Sequence, residues 1–126
     1  MQSAQKSVMI IEDEPDAAEL FAEMMRLNGY RVLKAYSGRP AAAVIAQERP
    51  DVIILDIMMP GFSGFDVLHD IRGDPALASI PVVIVSAKAT AADIQDGLAA
   101  GASIYLTKPV AYSDLKNAVD SLVRSP

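Results

Sequence analysis

Cysteine is absent from the 126 residues, which excludes disulfide bonds, thiolate catalysis and cysteine-ligated zinc, and requires a fold that holds without covalent staples. Lysine and arginine form no run and the formal net charge is -5, so the electrostatic footprint of nucleic-acid binding is missing and direct DNA contact is not expected. No apolar stretch reaches the roughly 18 residues of a membrane span. The opening "MQSAQKS" also lacks the apolar core of a secretory signal. The expected protein is therefore soluble and cytoplasmic, without membrane insertion. Histidine occurs once, as His69, within a helical pattern, and reads as a surface side chain rather than a relay group or metal ligand. Internal repeats, low-complexity tracts and linkers are lacking as well.

What is present is a regular alternation. Hydrophobic residues make up 52% of the chain, enough for one sizeable core, and the length suits a single domain over 1–126 with its core at about 7–124. The runs "VMII" (8–11), "RVLKAY" (31–36), "VIIL" (52–55), "PVVIV" (81–85) and "SIYL" (103–106) read as strands, with helices starting near Pro15, Arg39, Gly64, Ala91 and Ser113. Three of these strands are almost continuous in Val and Ile, as strands covered on both faces are. The chain therefore reads as α/β, a (βα)5 parallel sheet between helix layers. Pro15 opens the first helix and "NG" (28–29) stops it. Leu20, Met24 and Leu27 line one face of that helix, as for the core. Ala18, Ala22 and Met25 line another, read either as a surface for a docking kinase or as a second buried face.

A right-handed layout of this kind gathers the strand carboxyl ends on one rim, where ligands of such sheets bind. The first strand runs into Glu12, Asp13 and Glu14, the second into Tyr36 and Ser37, the third into Asp56, the fourth into Ser86 and the fifth into "TKP" with Lys108. An ionised carboxylate at the end of a buried run costs several kcal/mol, by rough estimate, unless it is partnered. Clustered carboxylates repel one another unless a hard cation sits among them, and magnesium suits one or two carboxylates plus water and phosphate oxygens. An Asp beside such an ion can act as a nucleophile toward phosphorus. Lys108 and Ser86 would then hold the oxygens of a phosphoryl group, whose charge is roughly -1.5 to -2.

These acids, "DIMMPGFSG" (56–64), "SA" (86–87) and "GASIYLTKP" (101–109) together resemble the receiver domains of two-component response regulators, the family that includes the chemotaxis regulators. The resemblance spans about 7–124. It implies a flavodoxin-like doubly wound sheet of order 2-1-3-4-5. It further implies that Asp56 is the phosphoacceptor and that Glu12, Asp13, Asp56 and the backbone carbonyl of Met58 hold Mg2+. Ser86 and Lys108 would contact the phosphoryl group, and Ser86 and Tyr105 would form the switch. Lys108–Pro109 would be cis. The donor would be a histidine kinase or histidine phosphotransfer protein, the target an unknown downstream protein, and the only catalysis the chain's own phosphorylation and dephosphorylation. Four positions depart from the commonest pattern: Glu12 for Asp, Ser86 for Thr, Ser103 for an acid and Val110 for an aromatic. The first two keep their chemistry, and the last two bear on partner-facing details.

Singly, these residues have plainer readings. Asp13 or Glu14 would cap a helix, Asp56 a turn, and Lys108 would be a solvated lysine. Met58 and Met59 would be loop cover, Tyr105 core, and Gly61 and Gly64 turn glycines. Convergence on one rim favours the sharper reading. A haloacid-dehalogenase-type phosphatase wants a second Asp where Met58 stands. A cofactor binder on the same fold wants an anion-accepting loop where "EDEP" stands. A pseudo-receiver that acts without phosphorylation is the remaining alternative, although such proteins usually lose one of the acceptor, metal-ligand or lysine positions kept here.

Overall fold

A computed structural model describes residues 5–36, 41–58 and 63–123, with Ala41 and Ala42 described by their backbone alone. In chain order the elements are β1 (Ser7–Ile11), α1 (Pro15–Leu27), β2 (Arg31–Ala35), α2 (Ala41–Glu48), β3 (Val52–Asp56), α3 (Gly64–Gly73), β4 (Val82–Ser86), α4 (Ala91–Ala99), β5 (Ile104–Thr107) and α5 (Tyr112–Val123). All strand pairs are parallel, in the order β2-β1-β3-β4-β5, as the sequence led us to expect. The expected start of the second helix at Arg39 lies outside the described residues, as does Ser37.

Every residue of β1, β3 and β4 is buried, whereas the edge strands β2 and β5 are mostly half-buried. Alternation assigns the side chains to two cores. Met9, Ile11, Ile53, Leu55, Val82 and Ile84 face α2 and α3, where Ile45, Leu68 and Ile71 meet them. Val8, Ile10, Val52, Ile54, Val83 and Val85 face α1 and α5, against Phe21, Met25, Leu115 and Val119. Asp51 joins the strands at their entry, where its carboxylate accepts the Ser7 N–H at 2.8 Å. Asp120 on α5 accepts from Tyr30 Oη (2.5 Å), Asn28 Nδ2 (2.8 Å) and Lys116 Nζ (2.8 Å), fastening α5 to the α1–β2 turn. Burial alone would push Asp120 up, yet these donors hold its carboxyl below the ordinary range. Gly29, at φ +89°, makes the stop expected at "NG".

Of the α1 face expected to meet the core, only Met24 packs against it, partly buried, and the other face is the fully buried one. Ala18, Ala22 and Met25 are fully buried, whereas Leu20 and Leu27 are 55% and 78% exposed. The small alanines let the helix backbone approach β1 and β2 closely, and packing distance outranks the larger hydrophobicity of leucine. The docking surface expected at Ala18, Ala22 and Met25 therefore does not exist as a surface. Met25→Ala is expected to cost about 2–5 kcal/mol, and Leu27→Ala less than about 0.5 kcal/mol. Urea denaturation of the two variants measures both, and equal losses would contradict this orientation of α1.

Candidate functional site

The strand register builds the site. Ile11 pairs with Leu55, so one further step along β1 and β3 sets Glu12 beside Asp56. Asp56 pairs with Val85, and Ser86 pairs with Thr107. The strand ends thus place Glu12, Asp56, Ser86 and Lys108 side by side, and carboxylate oxygens of Glu12, Asp13 and Asp56 lie within 4.8 Å of one another. Glu12 and Asp56 are 1% and 5% exposed, which forces the question of their partners.

Lys108 supplies one answer. Its Nζ lies 3.3 Å from Glu12 Oε1 and 3.5 Å from Asp56 Oδ2, and 6.0 Å from the centre of the Phe21 ring. The Met58 N–H donates to Asp56 Oδ1 at 3.0 Å. Glu12 Oε2 is buried with no hydrogen-bond partner. Such an orphaned acceptor is costly, and its position among three carboxylates fits the chemistry of a hard divalent cation. Burial, followed by the hydrogen bond and charge of Asp56, pushes the Glu12 carboxyl up to about 8, against the downward pull of Lys108. In metal-free protein at neutral pH, Glu12 therefore holds a proton that a cation would displace.

Glu14, expected in the same acidic group, instead caps α1 by accepting the Asp16 N–H at 3.4 Å. Ser86 is buried and its Oγ accepts the Lys88 N–H at 3.1 Å, while the Tyr105 hydroxyl donates to the Lys88 carbonyl at 2.8 Å. Tyr105 is half-buried at the sheet edge, and Met58 is 52% exposed beside Asp56. Lys108–Pro109 is cis. His69 is exposed on α3, away from the strand ends. Met59, Pro60 and Gly61 lie outside the described residues.

Residues 8–120 match the response regulator receiver domain family. The chain belongs to that family. Among its relatives, PilH of Pseudomonas aeruginosa is 35% identical over 116 residues, which cover 92% of this chain and 96% of PilH. The phosphate regulon transcriptional regulatory protein PhoB of the same organism is 33% identical over 94% of this chain but only 52% of its own length. The chain thus spans about half of PhoB. Among solved structures, the receiver domain of the P. aeruginosa sensor histidine kinase PA1611, described with magnesium coordinated in its active site cleft, has a TM-score of 0.88. It is 27% identical, with 97% of this chain and all of that one covered.

Within this receiver domain, two contributions escaped the sequence reading. Gly64 is more than a turn residue: a Cβ there would lie 2.5 Å from Ile57 Cα and 2.7 Å from the Asp56 carbonyl oxygen, so glycine lets α3 start against the end of β3. The Lys88 main chain is the other, because its N–H donates to Ser86 Oγ and its carbonyl accepts from Tyr105, through atoms that a side-chain reading does not see. Ser103, expected to face partners, accepts the Val82 N–H at 3.2 Å and thereby ties β5 to β4.

The raised Glu12 carboxyl makes stability depend on pH. The unfolded chain loses this proton near 4.5 and the folded chain near 8, so the folded state is the better proton binder between them. That contribution is complete below 4.5 and is lost as pH rises through about 8. In metal-free buffer, the stability of Glu12→Gln relative to wild type should therefore grow across this window and then level off. Thermal melts of both proteins measure it, and a pH-independent difference would contradict a protonated Glu12.

Proposed function

We propose that this receiver domain is a phosphorylatable switch in which Asp56 accepts a phosphoryl group from a histidine on a kinase or phosphotransfer protein. The supporting observation is the buried Glu12–Asp56 pair, bridged by Lys108, carrying one orphaned Glu12 oxygen and clustered with a third carboxylate, Asp13. In the transfer, a carboxylate oxygen of Asp56 attacks phosphorus in line as the phosphorus–nitrogen bond to the donor histidine breaks. Lys108, already 3.5 Å from Asp56, donates to the phosphoryl oxygens, and the Ser86 hydroxyl proton is a further donor. Glu12, Asp13, Asp56 and the Met58 carbonyl are the residues that would hold Mg2+. The ion would supply charge neutralisation for the acids and the incoming oxygens. Incubation with a small phosphodonor should add one phosphoryl group only when magnesium is present, read by intact mass. Asp56→Asn should take up none, and undiminished labelling of that variant would falsify the assignment.

Magnesium should also raise the thermal midpoint of the unphosphorylated protein by mass action, because it relieves carboxylate repulsion in the folded state alone. Asp13→Asn should lose most of that response. A full magnesium response in Asp13→Asn removes Asp13 from the ligand set.

The donor protein would dock beside α1. A groove of about 390 Å³ is lined by Ala17, Leu20, Phe21, Lys108, Pro109 and Val110, so Lys108 belongs both to this groove and to the acidic pocket. A partner seated on Leu20 would bring its histidine toward Asp56. Leu20→Glu should slow transfer from a cognate kinase roughly tenfold, equivalent to about 1.4 kcal/mol, while small-phosphodonor labelling is unchanged. If both rates fell together, Leu20 would not be a docking residue.

A further inference from the structure

The turn from α1 into β2 holds the chain's one Asn–Gly pair, Asn28–Gly29. Such a pair carries a chemistry of its own, because glycine has no Cβ to keep its backbone nitrogen away from the asparagine side chain. That nitrogen attacks Cγ, and the side-chain nitrogen leaves as ammonia, taking the bonding electrons and the former peptide proton. A cyclic imide remains, and water opens it to a carboxylic acid in either the normal or the isoaspartyl linkage. Water is the only co-reactant.

The fold holds the reacting groups apart. At Asn28 ψ is 5°, which eclipses the backbone nitrogens of residues 28 and 29, whereas a planar imide needs Cβ and the Gly29 nitrogen eclipsed instead. Ring closure therefore requires the peptide to rotate, and its neighbours resist that. The Gly29 N–H donates to the Arg26 carbonyl at 2.9 Å, and the Gly29 carbonyl accepts from Gln5 Nε2 at 3.0 Å. The Tyr30 N–H donates to the Met25 carbonyl at 3.0 Å. The departing atom is held as well: Asn28 Nδ2 donates to Asp120 Oδ1 at 2.8 Å, the same oxygen that accepts the Tyr30 hydroxyl.

We infer that Asn28 is a deamidation site that the Asp120 clasp keeps closed, and that its reaction, once it occurs, opens the clasp for good. Deamidation replaces a donor to Asp120 with a carboxylate. Lys116, on the other Asp120 oxygen at 2.8 Å, then faces two acids with one ammonium. The isoaspartyl linkage also adds a methylene to the backbone, in a turn where Gly29 already stands at φ +89°. The product thus removes the contact that had prevented its formation, and it frees the end of α1 from α5. The inference is independent of the chemistry at Asp56.

The test incubates the intact protein in mildly alkaline buffer below its melting transition and follows the peptide carrying residue 28 for the mass change of amide to acid. Asp120→Ala should deamidate there about tenfold faster than wild type, as expected for losing one hydrogen bond to a charged group. Lys116→Ala removes a donor from the clasp without freeing Asn28, so it should stay near the wild-type rate. Equal rates in wild type and Asp120→Ala, or a Lys116→Ala rate as high as that of Asp120→Ala, would overturn the protective role of the clasp. A second arm stands even if Asp120→Ala does not fold. Asn28→Asp, which reproduces the normal-linkage product, should lower the thermal midpoint, and adding Asp120→Asn, whose amide can donate to the new acid, should restore most of the loss. An unchanged midpoint in Asn28→Asp, or no recovery in the double variant, would overturn the opening of the clasp.

Discussion

Two acids at the ends of neighbouring buried strands set the terms for this molecule. Parallel pairing of β1 with β3 puts Glu12 and Asp56 side by side with almost no exposure to water. The repulsion that results must be met locally, and a proton on Glu12, the ammonium of Lys108 and the Met58 N–H all serve that end. The pocket thus holds a proton and an ammonium among carboxylates where a divalent cation would supply the same neutralisation. Glutamate at this place sets one more methylene than aspartate would between backbone and carboxyl group.

The two faces of the sheet are built to different tolerances. On one, α1 and α5 share an apolar layer with β1, β3 and β4 and are joined by the donors gathered on Asp120. On the other, α3 is well buried but α4 rests on a glycine and on hydrogen bonds at its ends. Buried apolar area costs far more to disturb than a few partly solvated hydrogen bonds, so a small change in the pocket has an easier outlet through α4 than through α1. This asymmetry is a property of packing and exists before any ligand arrives.

How much of this could be read in the sequence follows the same division. The central strands were legible because unbroken Val, Ile and Leu runs have few other uses, and the strand ends then placed Glu12, Asp56, Ser86 and Lys108 together. The orientation of α1 was not legible, because a hydrophobicity pattern favours Leu20 and Leu27 over Ala18 and Ala22, while close approach to a sheet favours the small residues. Glu14 could not be separated from Glu12 and Asp13 without knowing where the helix starts. Gly64 and the Lys88 main chain escaped for a common reason: each acts on or through main-chain atoms, which residue types do not disclose.

The clasp at Asp120 bears on how helix α1 could be exchanged between relatives. Its carboxylate sits on α5, but two of its donors, Asn28 and Tyr30, belong to the turn that ends α1. A transplant of α1 alone, without those two residues, would leave Asp120 with Lys116 as its remaining donor and lose hydrogen bonds worth about 0.5–1.5 kcal/mol each. The heritable unit of this surface is therefore α1, its closing turn and the last half of α5 together, although most of the chain separates them in sequence.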